Sequence, residues 1–187
     1  MTPARLMAIL LLICLVACTN PPTPALSPQT EPTIDPSPEP MQPSDIDQLL
    51  AGMTLDQKIG QVLIIGFDGE SLSPDLQEMV AQYHIGGVIL FARNVASPAQ
   101  LTRLCGDLQA AARSSGLPGL LIAVDQEGGR VARLTESKGF TEFPGAMALA
   151  ATGSVENASQ AAEGLAAEMK AVGINTDFAP VLDVNNN

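Results

Sequence analysis

The chain has 187 residues, with 20 acidic and 9 basic side chains and a formal net charge of −11. This balance argues against a nucleic-acid partner, because phosphate binding needs clustered lysine and arginine. The length allows a sizeable folded domain, but the first 43 residues do not have the composition of one. We therefore expect the globular part to be residues 44–187.

Residues 1–17 have the pattern of a secretory signal peptide. Arg5 precedes the apolar run 6–16, which is too short for an ordinary membrane span. The segment Leu15-Val16-Ala17-Cys18 resembles the lipobox of bacterial lipoproteins, in which the signal is removed before a cysteine whose sulfur is then lipidated. This resemblance implies lipidation of Cys18 and an extracytoplasmic protein anchored to a bacterial membrane. A plain signal peptide with a chance cysteine is the alternative.

Residues 18–43 are predicted to form a disordered linker after the lipidated cysteine. Nine prolines fall between Thr19 and Pro43, among Ser, Thr, Gln and Glu. Such a segment buries too little apolar area to offset the entropy of ordering the chain. Of the three cysteines, Cys14 lies in the signal peptide and Cys18 is the lipidation site, so residues 44–187 contain Cys105 alone and cannot form an internal disulfide. We expect it to behave as a small buried apolar residue.

Four apolar runs alternate with helical patterns from residue 44 onward. The runs are 61–67, 87–91, 120–124 and 176–184, and none alternates with period two. Each is therefore predicted to be a strand buried on both faces, as in a parallel sheet. The helices carry apolar stripes that should face the sheet, and their ends are marked by capping residues. These are Thr54 with Gln57, Ser73-Pro74, Ser97-Pro98, Ser154 and Gly173.

The alternation of strands and helices predicts an α/β fold made of βα units. A doubly wound sheet and a (β/α)₈ TIM-type barrel both fit, but no glycine-rich dinucleotide or phosphate fingerprint follows any strand. The barrel is therefore favoured. A whole barrel takes about 250 residues, so residues 44–187 are expected to supply the first half, four βα units of a truncated domain.

The segment 120–133 is the most informative for function. Its apolar run ends abruptly in charged residues and paired glycines, and α/β barrels keep their chemistry at this end of each strand. Asp125 offers acceptors and Arg133 a fork of donors. Gly128 and Gly129 allow the backbone to pass close to a ligand. The pattern indicates a polar pocket of the size of a sugar.

Four segments of the chain together carry a specific resemblance. They are Met53-Thr54-Leu55-Asp56-Gln57-Lys58-Ile59-Gly60-Gln61, Ile85-Gly86-Gly87-Val88-Ile89-Leu90-Phe91-Ala92-Arg93-Asn94, Val124-Asp125-Gln126-Glu127-Gly128-Gly129-Arg130-Val131 and Asn175-Thr176-Asp177-Phe178-Ala179-Pro180-Val181-Leu182-Asp183-Val184-Asn185. They resemble the N-terminal domain of glycoside hydrolase family 3, and within it the bacterial β-N-acetylhexosaminidases. The resemblance implies a retaining hydrolase that removes terminal β-linked N-acetylglucosamine from cell-wall or chitin-type oligosaccharides. It implies no metal and no cofactor. The acid/base loop and the nucleophile of the family are expected beyond residue 187, so residues 1–187 alone are expected to be inactive.

The resemblance assigns substrate binding to two residues. Asp125 matches an aspartate that accepts hydrogen bonds from outer hydroxyls of the terminal sugar, and Arg133 matches an arginine beside it. The alternative is that Asp125 merely caps the following turn and Arg133 lies on the surface. Glu127 and Arg130 are expected to brace the loop through an ion pair.

Other polar residues near strand ends receive weaker assignments. Arg93 and Asn94 either line the same cleft or support a loop, and Asp183 and Asn185 end the fourth strand on the same side. Asp177 is expected to be structural. His84 is the chain's one histidine and precedes the second strand, so it should lie on the opposite end of the fold from any catalytic group.

Two other functions compete with the hexosaminidase. One is a family 3 β-glucosidase, although the compact segment 125–130 and the ending of the second strand favour the hexosaminidase branch. The other is a lipoprotein that binds envelope glycans without catalysis. That second alternative predicts a complete fold ending near residue 187.

Overall fold

A computed structural model describes residues 43–182. Its helices are α1 (Pro43–Gly52), α2 (Leu55–Gln61), α3 (Pro74–Tyr83), α4 (Pro98–Ser114), α5 (Ala146–Ala151) and α6 (Val155–Ala171). Its strands are β1 (Ile64–Gly66), β2 (Gly87–Leu90), β3 (Leu121–Val124) and β4 (Thr176–Asp177). Each strand is followed in the chain by a helix or by the end of the described residues, as the alternation of patterns predicts.

The four strands form one parallel sheet in the order β1-β2-β3-β4. Val88 of β2 lies opposite Ile65 of β1 and Ile122 of β3, and Val124 lies opposite Asp177 of β4. Sequential order with helical crossovers is the arrangement of the first half of a (β/α)₈ barrel. The predicted α/β class is confirmed, and the described strands do not close into a barrel.

The core lies on one face of this sheet. Alternate strand residues point toward it, and Val88, Leu90, Ile122 and Val124 are all fully buried there. They join one cluster with the apolar stripe of α4, which includes Leu101, Leu104, Cys105 and Leu108. Leu76 and Val80 of α3 and Met169 of α6 complete its walls. This packing holds the ends of the strands, and hence the loops that follow them, in fixed positions.

The expectation that every strand is buried on both faces is wrong at Ile64 and Leu121. These two residues of the second face remain 38% and 47% exposed, whereas Ala123 on the same face is fully buried. Successive strand residues alternate between faces, and the buried cluster gathers on the side of Val88 and Ile122. In a closed barrel the opposite face is the interior.

The predicted helix starts are confirmed at four positions. The side chains of Thr54, Ser73, Ser97 and Ser154 each accept a hydrogen bond from the backbone N–H three residues later, at 3.1 to 3.2 Å. Thr54 and Gln57 form the full capping box, since the Gln57 side chain accepts from the Thr54 N–H at 2.9 Å. These bonds satisfy N–H groups that have no partner within the helix.

Three details differ from the sequence expectations. Gln61, assigned to the first strand, is the last residue of α2. Helix α5 has no capping side chain, so no signal marked its start. The apolar stripe of α1 does not face the sheet, because Ile46, Leu49 and Leu50 are 40% to 46% exposed.

Residues 1–17 and 18–43 carry the predicted signal, lipidation site and linker. Cys18 and all but the last residue of the linker lie outside the described residues, and their assignments stay predictions. Within residues 43–182, no helix combines the length and apolar character that crossing a bilayer requires.

Candidate functional site

The polar residues singled out by the sequence lie at the carboxyl edge of the sheet. Asp125 directly follows β3, Asp177 ends β4, and Arg93 and Asn94 follow β2 in a short 3₁₀ turn. Since all four strands are parallel, these ends lie along the same edge. This is the edge at which α/β barrels bind their ligands.

Asp125 and Arg133 form an ion pair at this edge. Arg133 Nη2 donates to Asp125 Oδ2 at 2.9 Å, and the two side chains are 24% and 26% exposed respectively. Within residues 43–182, the buried Nε of Arg133 has no hydrogen-bond partner. The pair is therefore partly open to solvent and presents both acceptors and donors. Arg133 is thus partly buried and paired with Asp125, and the assignment of the pair to sugar binding stays a prediction.

The two glycines serve a contact within the protein. Gly128 and Gly129 both have positive φ, 79° and 59°. The Gly129 N–H donates to Phe143 O at 2.7 Å, and a Cβ on Gly128 would lie 2.6 Å from Pro144 O. The close approach predicted for a ligand is thus made to the backbone of the segment before α5.

The loop between Asp125 and Arg133 is closed by backbone bonds. Glu127 N–H donates to Val131 O at 2.9 Å, and Gly128 and Val131 form an isolated antiparallel bridge. The expected ion pair between Glu127 and Arg130 is absent from the described structure, and Arg130 is exposed. A tight turn needs no side-chain brace because its own N–H and C=O groups already pair.

Gln126 is the residue that sequence reasoning missed. Its side chain is 1% exposed, and Oε1 accepts from the N–H groups of Arg133 at 2.8 Å and Leu134 at 3.0 Å. Its Nε2 donates to Leu134 O at 3.0 Å. One buried amide therefore ties the end of β3 to the residue that carries the guanidinium. Nothing in the sequence distinguishes Gln126 from a solvated loop residue.

Asp177 lies beside this network on β4. Its Oδ1 accepts from the Gln126 N–H at 3.0 Å. Burial raises the pKa of its carboxyl, and the negative charges of Asp125 and Glu127 raise the pKa further, while the hydrogen bond from Gln126 opposes both. The bond to the Gln126 N–H agrees with the structural role expected for Asp177. The raised pKa of its carboxyl is a property that the sequence does not predict.

A second group of residues lies at the ends of β1 and β2. Arg93 Nε lies 2.6 Å from Asp68 Oδ1, and the guanidinium lies 4.6 Å from the centre of the Phe91 ring. Asn94 is fully buried: its Nδ2 donates to Phe67 O and Gly69 O, and its Oδ1 accepts from Phe91 N–H. The sequence left open whether Arg93 and Asn94 line the cleft or support a loop. Asn94 supports the loop after β1, while Arg93 is half exposed at the carboxyl edge.

His84 lies away from this edge, as expected. It follows α3 in the left-handed conformation, with φ 54°, three residues before β2 begins. Parallel strands begin at the opposite edge from the one where Asp125 lies. Asp183 and Asn185 fall outside the described residues.

An apolar groove of about 710 Å³ adjoins the network. Its walls are mainly alanine and leucine side chains of α5 and α6, and Gln126, Glu127 and Asp177 also line it. Sugar hydroxyls need polar partners. The groove is thus a poorer sugar site than the Asp125–Arg133 pair.

The parallel βα architecture and the polar strand-end site define a barrel-type α/β protein of the kind that carries its chemistry on the carboxyl edge. The family model for the glycosyl hydrolase family 3 N-terminal domain matches residues 54–187. The chain belongs to glycoside hydrolase family 3.

Three relatives show where in the family the similarity lies. β-Hexosaminidase A of Pseudoalteromonas piscicida is 41% identical over 156 residues, which cover 72% of this chain and 26% of that protein. A β-N-acetylglucosaminidase of the same family from Paenibacillus sp. FPU-7 superposes with a TM-score of 0.70 at 47% identity, covering 72% of this chain and 25% of that one. NagZ from Neisseria gonorrhoeae, solved with N-trifluoroacetyl-D-glucosamine, gives a TM-score of 0.57 at 34% identity, over 66% of this chain and 37% of that one.

The chain thus spans about a quarter of the length of the first two of these relatives. The first two proteins are named a β-hexosaminidase and a β-N-acetylglucosaminidase, and the third was solved with an N-acylated glucosamine bound.

Proposed function

We propose that the protein is a retaining β-N-acetylhexosaminidase that removes terminal β-linked N-acetylglucosamine from cell-wall or chitin-type oligosaccharides. The observation that carries the proposal is the Asp125–Arg133 pair at the carboxyl edge of the sheet, 2.9 Å apart and partly exposed. The names of the relatives support the choice of sugar.

In this proposal Asp125 and Arg133 bind the terminal sugar. A carboxylate accepts hydrogen bonds from two neighbouring hydroxyls, and charge-assisted bonds of this kind are short and strong. Arg133 orients the Asp125 carboxylate through the bond from Nη2, and in this proposal its remaining donors reach toward sugar oxygens. The pair fixes the pyranose, and groups elsewhere in the protein perform bond cleavage. The assignment of the acid/base and the nucleophile to positions beyond residue 187 remains a prediction.

Hydrolysis of two chromogenic substrates tests the reaction class. The protein expressed from the complete gene is given nitrophenyl β-N-acetylglucosaminide and nitrophenyl β-glucoside. The proposal predicts faster release of nitrophenol from the N-acetylglucosaminide. Faster cleavage of the glucoside would identify a family 3 β-glucosidase instead. Binding of N-acetylglucosamine without turnover of either substrate would identify a glycan-binding lipoprotein.

We further propose that the protein is held on the outer side of a bacterial membrane by a lipid on Cys18. The support is the sequence Leu15-Val16-Ala17-Cys18 after a short apolar run. A lipid anchor would place the sugar site near cell-wall glycans, which are one of the two substrate classes proposed above.

A further inference from the structure

We infer that Gln126 is a positioning residue for the sugar site: its buried amide sets the place of Arg133, and through Arg133 the orientation of Asp125. The inference rests on the proposed function, because it takes the Asp125–Arg133 pair to be the sugar-binding group. It adds a residue that does not itself reach the ligand, since only 1% of Gln126 is exposed.

The first link between Gln126 and the sugar site is the geometry of its amide. Gln126 makes three side-chain hydrogen bonds, all to the backbone of Arg133 and Leu134, at 2.8 to 3.0 Å. Both the acceptor and the donor end of the amide are used. A side chain bonded at both ends has one orientation, so the backbone of Arg133 is held at a fixed distance from the end of β3.

The second link is the anchoring of Gln126 itself. Its backbone follows Asp125 directly, and its N–H donates to Asp177 Oδ1 at 3.0 Å, which ties it to β4. The sugar-binding carboxylate and the positioning amide are therefore neighbours in the chain, and both are fixed by the sheet. A shift of the amide changes the distance between Asp125 and the Arg133 guanidinium, which now stands at 2.9 Å.

A second glutamine bonds the same strand. Gln109 of α4 bonds the other end of β3 in a similar way, donating from Nε2 to Leu120 O at 2.8 Å and accepting from Leu120 N–H at 3.0 Å. Both glutamines bond the backbone at an end of β3, and one of them lies beside the sugar-binding pair. Loss of Gln109 thus reports the effect of weakening β3 alone.

The test is a double-mutant cycle on the full chain, read by N-acetylglucosamine affinity in an NMR titration. Methionine keeps the length of glutamine without its hydrogen bonds, so the variants are Gln126→Met, Arg133→Met, the double variant and the control Gln109→Met. We expect Gln126→Met to raise Kd about tenfold. In the Arg133→Met background the same change should raise Kd less than about twofold, because Gln126 acts through Arg133. Gln109→Met should leave Kd within about twofold of the wild type.

Additive effects of Gln126→Met and Arg133→Met would overturn the inference, as would an equal loss of affinity in Gln109→Met. If Gln126→Met does not fold, Gln126→Asn replaces it. Its amide is one methylene shorter, so it no longer holds the Arg133 and Leu134 backbone at the present distances, and the same non-additivity with Arg133→Met is required. A wild-type chain that binds no N-acetylglucosamine would refute the proposed function itself, which is a different outcome from additivity in a chain that binds.

Discussion

Asp125 and Arg133 are eight positions apart in the chain, yet Arg133 Nη2 lies 2.9 Å from Asp125 Oδ2. The turn between them folds the chain back so that both side chains meet at the carboxyl edge of β3. About a quarter of each side chain is exposed, so the pair is accessible to a ligand. The sugar site proposed for this protein depends on this relationship.

Removal of the Asp125 carboxylate should weaken sugar binding. Asp125→Ala is expected to lower N-acetylglucosamine affinity by about 10- to 100-fold, since hydrogen bonds to a charged group are worth about 1.5–3 kcal/mol. Calorimetric titration measures this directly. Asp68→Ala is the matched control, because Asp68 also pairs with an arginine on the same edge, at 2.6 Å from Arg93 Nε. Equal losses in both variants would argue against a specific site at Asp125.

Gly128 should be intolerant of any side chain. Gly128→Ala places a Cβ 2.6 Å from Pro144 O at a φ of 79°. The backbone strain of the left-handed conformation and the steric overlap with Pro144 therefore both destabilise the variant. We expect a loss of about 2–4 kcal/mol in the free energy of unfolding, measured in urea. Gly116→Ala separates the two effects, because its φ is 67° and nothing lies within 4 Å of the new Cβ. It should lose about 1 kcal/mol. Equal losses would show that the overlap with Pro144 has no effect.

The stability of the folded chain should fall as pH rises through the titration of Asp177. Its folded pKa is raised from the ordinary value of 3.8, chiefly by burial, so the folded state holds the proton to higher pH than the unfolded state does. The contribution of Asp177 to the free energy of unfolding is fully present below pH 3.8, and it is lost as pH rises through the pKa of the folded state. Asp177→Asn removes this titration and still accepts the Gln126 N–H. The pH dependence of urea unfolding should therefore be flatter in Asp177→Asn, and an unchanged dependence would refute the assignment.

Cys105 should be unreactive in the native protein. It is 1% exposed, and burial raises the pKa of its thiol to about 12. The thiolate is the reactive form, so alkylation requires unfolding. Iodoacetamide labelling, followed by peptide mass spectrometry, should modify this residue only in denaturant. Rapid labelling of Cys105 in buffer would contradict the buried position.

Lipidation at Cys18 is a separate prediction. Cells fed radioactive palmitate should produce labelled protein, and Cys18→Ser should abolish the label. Cys105→Ser is the control and should leave the label unchanged. Labelling that persists in Cys18→Ser would indicate that the lipobox assignment is wrong.

Much of the fold could be predicted from the sequence because its signals are local. Caps such as Ser73 and Ser97 make bonds three residues along the chain, and apolar runs identify buried strands without knowledge of their neighbours. The exposed faces of Ile64 and Leu121 could not be predicted, because periodicity does not say which side of a sheet is covered.

The site was predicted only in part for a related reason. Asp125 and Arg133 have chemistry that is visible in the sequence, and the structure brings them together. The Gln126 side chain bonds the backbone seven and eight positions along the chain, and nothing local distinguishes it from a solvated polar residue. The bond from the Gln126 N–H to Asp177 joins residues 51 positions apart, which the sequence does not show. The two glycines were assigned to a ligand because close backbone approach looks the same whether the partner is a ligand or Pro144 O.

The most direct test of the sugar site is an NMR titration of the ¹⁵N-labelled chain with N-acetylglucosamine. We predict saturable shifts of the Asp125, Gln126 and Arg133 amide signals in the wild type. In Asp125→Ala the titration curve should move to sugar concentrations at least about tenfold higher. Shifts confined to the apolar groove of α5 and α6, or no saturable shifts in a folded chain, would contradict this prediction.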